Sequence, residues 1–146
     1  MTAGQKLARG VCRHLRQHGF SVIEEFVPVR GLRVDVIALG PRGEIWVVEC
    51  KSSRTDFLTD RKWPGYLDWC ERFFWAVGPD FPRALLPQEH GLILADEHDG
   101  EILRLGLARK LAAARRKSLT QKFARVAADR LQALRDPAPE QRFSAV

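Results

Sequence analysis

The sequence predicts an α/β/α domain with a mixed central sheet and basic C-terminal helices. Three observations point there. An amphipathic helical pattern opens the chain, short apolar runs between Gly and Pro turns fill its middle, and a Lys/Arg-rich helical pattern closes it.

Each element has its own signal. Thr2-x-x-Gln5 is a capping box, Leu7, Val11 and Leu15 recur at helical spacing, and Gly19 suits a left-handed stop, so a helix is expected over 3–18. Residues 20–29 read as a strand ended by Pro28 and Gly31, and strands over 32–39 and 44–51 follow, joined by Gly40-Pro41-Arg42-Gly43. Residues 54–70 hold two short helical pieces broken near Pro64-Gly65. Phe73-Phe74-Trp75-Ala76-Val77 is an unbroken apolar run, the pattern of a strand covered on both faces. A connector over 81–86 leads to strands over 91–95 and 101–105, which pair across Asp99-Gly100. From Ala108 the chain reads as helical. Ser118-x-x-Gln121 is taken as a second capping box opening a final helix, with Phe123, Val126, Ala127 and Leu134 inward. The expected organisation is one domain over 1–136, with its basic helical part at 108–135 and a loose tail at 137–146.

Composition narrows the class. At 146 residues, with 45% hydrophobic and 29% charged residues, the chain has the length and balance of one globular domain. No apolar run approaches the ~18 residues of a membrane span, and the N-terminus shows no signal-peptide core. Cys12, Cys50 and Cys70 are odd in number and widely spaced, which fits reduced thiols in the cytoplasm. No CxxC occurs. The four histidines (His14, His18, His90, His98) are read as unpaired, so neither a common zinc pattern nor a histidine-based catalytic site is expected. Net charge is +6 and unevenly spread: residues 1–108 carry 14 Lys/Arg against 15 Asp/Glu, whereas residues 109–135 carry 9 against Asp129 alone. Such a block suits a polyanion, nucleic acid before an anionic membrane, and equally a solvated helical face.

The chemistry-bearing segment is Arg33-Val34-Asp35-Val36-Ile37 followed by Val47-Val48-Glu49-Cys50-Lys51. Strand alternation puts Asp35 on a face with Arg33 and Ile37, and Glu49 with Val47 and Lys51. Val34, Val36, Trp46, Val48 and Cys50 then point into core. A three-residue hairpin loop, Pro41-Arg42-Gly43, pairs Gly40 with Glu44 and sets Asp35 directly against Glu49. Opposed carboxylates destabilise a sheet unless something offsets them. A divalent cation is one such partner, because Mg²⁺ prefers hard oxygens and can activate a phosphodiester and a water. Plain salt bridges to Arg33, Lys51 or Arg30 are the other.

Asp35, a hairpin, then Glu49-Cys50-Lys51 after a helix and strand resembles the PD-(D/E)xK nuclease superfamily. The continuation is similar to the MmcB-like bacterial DNA repair family. Ser52-Ser53, Asp56-Phe57, Asp60-Arg61-Lys62-Trp63, Tyr66-Leu67, Cys70 and the strand over 73–77 carry that likeness, with Leu85-Leu86-Pro87, Gly91-Leu92-Ile93, Ala114-Arg115-Arg116-Lys117 and Phe123-Ala124-Arg125. The likeness spans residues 5–134. It implies a restriction-endonuclease-like core, Mg²⁺- or Mn²⁺-dependent DNA cleavage in the damage response, and a cytoplasmic, nucleoid-associated location. It also implies DNA as partner, beside other DNA repair or translesion synthesis proteins. The superfamily's metal ligands map onto Asp35, Glu49 and the backbone carbonyl of Cys50, and its catalytic lysine onto Lys51. The motif's Pro is absent, with Val34 before Asp35. Many members add an acid from the first helix, yet residues 3–18 have none, and Glu24 or Glu25 is the nearest substitute.

The candidate DNA contacts are Arg33, Arg54, Arg61, Lys62, Arg115, Arg116, Lys117 and Lys122, with Lys110 and Arg125 in the same basic block. Asp56 and Asp60, four apart, repel on a helix unless a positive group sits between them. Trp46 and Trp75 are expected in the core, while Trp63 and Tyr66 are left open to base stacking. A non-cleaving DNA binder on a nuclease fold and an adaptor for an acidic protein stand as rival readings.

Overall fold

The computed structural model describes residues 1–137. Helix α1 (Ala3–Gln17) starts as its capping box requires: Gln5 N–H donates to the Thr2 hydroxyl at 3.1 Å and Thr2 N–H to the Gln5 side chain at 2.8 Å. Gly19 takes φ +84°, and Phe20 N–H returns to the Leu15 carbonyl at 3.0 Å, closing the helix.

Six strands form one sheet in chain order: β1 (Ser21–Val29), β2 (Leu32–Leu39), β3 (Ile45–Lys51), β4 (Arg72–Val77), β5 (Gly91–Ala95) and β6 (Gly100–Arg104). β1, β2 and β3 pair antiparallel, β3, β4 and β5 parallel, and β6 returns antiparallel, so the sheet is mixed as expected. Helix α2 (Arg54–Thr59) and a 3-10 segment (Trp63–Trp69) cross from β3 to β4, and α3 (Ala113–Arg135) closes the described chain.

Two cores make the layers. Leu7, Val11 and Leu15 of α1 pack on Val36, Val48, Phe74 and Ile93. On the opposite face Ile37, Val47, Phe73 and Trp75 meet Tyr66 and the α3 residues Leu119 and Phe123. This is the α/β/α arrangement of a restriction-endonuclease-like core. No helix among the described residues is long and apolar enough to cross a membrane.

Several expectations need correction. Val34 belongs to the α3-side core rather than to that of Val36, because alternation slips at Asp35. β1 slips beside it: Ile23 and Phe26, three residues apart, face the same core, and Glu25 between them takes φ +53°. Residues 108–112 are not helical; their path is set by tertiary contacts, with Arg109 N–H on the Glu71 carbonyl and Leu111 buried in the α3-side core. α3 therefore begins at Ala113, and Ser118 lies inside it rather than capping it. Pro64 opens the 3-10 segment instead of breaking it, its ring suiting the first helical position. Leu134 is 81% exposed, since only the Leu119–Phe123 stretch of α3 is buried against the sheet. Of the expected tail, residues 138–146 lie outside the described residues.

Candidate active site

The hairpin loop decides the site. Gly40 N–H bonds the Glu44 carbonyl at 2.8 Å, Gly43 N–H bonds the Gly40 carbonyl at 3.0 Å, and Gly43 sits at φ +85°. The resulting β2–β3 register runs from Leu39↔Ile45 to Val36↔Val48. Its next step sets Asp35 against Glu49, as the loop length predicts. There the backbone ladder gives way to side chains: Asp35 N–H donates to Glu49 Oε1 at 2.9 Å, and Cys50 N–H donates to Asp35 Oδ2 at 2.8 Å.

Burial dominates the electrostatics. Glu49 is 4% exposed. Burial first, then the charge of Asp35, pushes its carboxyl up to about 8. Asp35 is also raised by burial, opposed by the Cys50 amide and the Lys51 ammonium. Two desolvated carboxyls in this relation retain a proton near neutrality or take a cation.

Lys51 is 6% exposed, and Lys51 Nζ donates to Asp60 Oδ2 at 2.7 Å with Asp56 Oδ1 at 3.9 Å. The positive group required between Asp56 and Asp60 is therefore Lys51. Burial would raise the Asp60 carboxyl, but the Lys51 ammonium and the Lys62 and Trp63 amides outweigh it and hold it below the usual carboxylate range.

Asp35 opens onto a pocket of about 600 Å³ that Glu24, Glu25, Arg9 and Arg130 also line. α1 carries no acid, so Glu24 and Glu25 are the carboxylates that accompany Asp35 there. Arg130 anchors their strand, donating to the Glu24 carbonyl and, at 2.8 Å, to the Glu25 carbonyl. Arg9 and Arg130 were not singled out by the sequence. No local motif marks them, because their meeting depends on how α1 and α3 cross β1. Among the described residues no three His, Cys, Asp or Glu side chains gather into a metal-binding group. The donor chemistry at Asp35, Glu49 and the Cys50 carbonyl is nonetheless all hard oxygen. That set fits Mg²⁺ or Mn²⁺, which take one or two carboxylates and keep water in the remaining positions.

The basic residues divide by partner. Arg33 and Lys62, 29 positions apart, line one pocket of about 430 Å³ with Tyr66. Arg33, Arg54, Arg61, Lys62 and Lys117 are exposed and form no ion pair among the described residues. Arg115 lies 4.2 Å over the Trp69 ring and donates to the Asp68 carbonyl at 3.0 Å. Arg116 pairs with Glu71 and donates to the Gly43 carbonyl at 2.7 Å, and Lys122 reaches the Pro28 carbonyl at 3.4 Å. The aromatics turn inward: Trp75 and Tyr66 are buried, and Trp46 and Trp63 pack against the two cores. The reading of the histidines also needs correction. His14 and His18, four apart on α1, bring their Nε2 atoms to 3.2 Å.

No curated protein matches the chain. A protein of unknown function from Silicibacter pomeroyi, known by its structure, is 64% identical over 99% of both chains, with a TM-score of 0.93. The crystal structure of a repair endonuclease from Pyrococcus abyssi aligns at a TM-score of 0.39 and 21% identity, over 56% of this chain and 39% of that one. Residues 2–138 match the family described as DNA repair protein MmcB-like. With that match over nearly its whole length, the chain belongs to the MmcB-like family.

Proposed function

We propose that this protein is a metal-dependent DNA endonuclease of the damage response, centred on Asp35, Glu49 and Lys51. The observation that carries this reading is the Asp35–Glu49 pair, two desolvated carboxylates locked at the point where β2 and β3 leave their ladder. A neutral acceptor would serve those two backbone hydrogen bonds, and buried charge is costly unless a role maintains it.

Asp35, Glu49 and the Cys50 carbonyl would hold Mg²⁺ or Mn²⁺. The bound ion supplies Lewis acidity toward a phosphodiester and lowers the pKa of a water. The protein's part is position and charge. The two backbone hydrogen bonds fix both carboxylates, and Lys51, two residues beyond Glu49, offers an ammonium to charge developing on phosphate. Arg33, Arg54, Arg61, Lys62 and Lys117 contact the DNA backbone, with Arg115, Arg116 and Lys122 adding to the field from within their own contacts. Such contacts orient DNA without reading its sequence. The partners are DNA and other DNA repair or translesion synthesis proteins, at the nucleoid in the cytoplasm.

The test is cleavage of single-stranded, duplex and branched DNA with Mg²⁺ or Mn²⁺ by wild type, Asp35→Asn and Lys51→Ala. Cutting that requires metal and disappears in both variants is the expected result. Absence of cutting by wild type on every substrate overturns it. A second reading, DNA binding without cleavage, is favoured by the commitment of Lys51 to Asp60 and by the lack of an acid on α1. Salt-sensitive DNA binding by all three proteins, with no cutting, selects that reading.

A further inference from the structure

The His14–His18 pair lies outside the nuclease reading. His18 caps α1 at its C-terminal end, while residues at the other end of the helix line the pocket beside Asp35. The spacing is His-x-x-x-His, which puts both rings on one helix face. The rings meet edge to face with centroids 4.6 Å apart.

The hydrogen bonds settle the protonation. Ile102 N–H donates to His14 Nε2 at 3.2 Å, so that nitrogen is an acceptor. The ring proton of His14 is therefore on Nδ1, which faces Asp99 Oδ1 at 4.0 Å. His18 Nε2–H is then the donor in the contact between the rings. A carboxylate beside one imidazole nitrogen, with the opposite nitrogen unprotonated, is how metal-binding histidines are commonly oriented.

We propose that His14 and His18 form a two-imidazole site for a borderline divalent transition metal of the Zn²⁺, Ni²⁺ or Cu²⁺ class, with Asp99 orienting His14. The nitrogen separation fits: two bonds of about 2.0–2.1 Å spanning the 3.2 Å gap subtend about 103°, between octahedral and tetrahedral angles. Imidazole selects this class over Mg²⁺, so the site differs in chemistry from the carboxylate pair. On binding, the metal takes both Nε2 lone pairs. The proton on His18 Nε2 moves to its Nδ1, and both rings stay neutral with no net proton released. The metal displaces the hydrogen bond that Ile102 N–H, on the edge strand β6, makes to His14. Two ligands come from α1, and the orienting carboxylate comes from the turn before β6, so the ion ties that turn to the end of the helix.

The test uses the full chain without an affinity tag. Zn²⁺ is titrated by calorimetry, and Cu²⁺ is read by its nitrogen hyperfine pattern. Wild type is expected to bind one Zn²⁺ and to show two nitrogens on Cu²⁺. The exposed position makes His18→Ala safe for folding; it is expected to weaken Zn²⁺ about tenfold or more and leave one nitrogen. Asp99→Asn weakens binding about tenfold through the lost orientation. Excess Mg²⁺, which the imidazole pair does not take, is present throughout to fill the proposed carboxylate centre and separate the two sites. Equal affinity in wild type and His18→Ala, or a wild-type Cu²⁺ spectrum with fewer than two nitrogens, overturns the proposal.

Discussion

Asp35 and Glu49 each hold the other's strand through the backbone. Asp35 N–H donates to a Glu49 oxygen at 2.9 Å, and the amide of Cys50, next to Glu49, donates to Asp35 at 2.8 Å. The exchange replaces one rung of the sheet ladder and keeps two carboxylates at the margin of the core.

Glu49→Gln tests the electrostatic cost of that exchange. The amide keeps an oxygen for Asp35 N–H and loses the charge. The Glu49 carboxyl lies above its ordinary value of 4.5, at about 8. The folded state therefore binds more protons than the unfolded state between those values, and stability falls as pH rises through that window. Glu49→Gln is expected to stabilise the protein at pH 8 by about 1–3 kcal/mol and to have little effect near pH 4. Thermal melts across pH check it. An equal effect at both pH values argues against a carboxyl raised by burial.

Asp60 is the partner of Lys51, both being largely buried. Removing one member of a buried pair leaves the other charge uncompensated. Asp60→Ala should cost about 3 kcal/mol. Adding Lys51→Met to it should recover part of the loss, because no unpaired ammonium then remains. A double-mutant cycle by chemical denaturation gives the coupling, and additive single effects would show that the pair is not coupled.

The exposed cations and Arg116 should separate in DNA binding. Lys117→Ala is expected to reduce the salt slope of DNA affinity by about 0.9 and to leave the melting temperature unchanged. Arg116→Ala should lower the melting temperature, because it releases Glu71 and the Gly43 carbonyl. The converse pattern would reassign the phosphate contact to Arg116. Affinity measured at several salt concentrations beside thermal melts distinguishes the two.

Gly10→Ala should destabilise the protein despite a gain of about 1 kcal/mol in helix propensity. A methyl at residue 10 would run into the backbone carbonyls of Asp96 and Asp99, which flank the β5–β6 turn. Gly4→Ala, where nothing lies within 4 Å, is the matched control and should stabilise slightly. Equal melting temperatures for the two variants would refute the close approach of α1 to that turn.

Local chemistry made much of this molecule legible. The Thr2–Gln5 box and Gly19 set both ends of α1, because caps satisfy backbone groups within a few residues. Pro41-Arg42-Gly43 set the β2–β3 register and with it the opposition of Asp35 and Glu49, because loop length fixes pairing parity. The need for a cation between Asp56 and Asp60 was also readable, but not that Lys51 would supply it. Other features depended on distant neighbours. The slip that turns Val34 away from Val36 arises with its partner in β1 around Glu25. Helix α3 starts late, after a stretch tied to distant partners: Arg109 N–H bonds the carbonyl of Glu71, 38 positions away in sequence, and Leu111 enters the core. His14 and His18 were spaced in plain view, yet their tautomers follow from Ile102 and Asp99. Arg130 meets Glu24 and Glu25 only because α3 packs across β1. Sequence determines what is satisfied within one turn or one hairpin. Contacts between elements far apart in the chain follow from how the two cores pack, and burial there decides which charges are paired and which remain exposed.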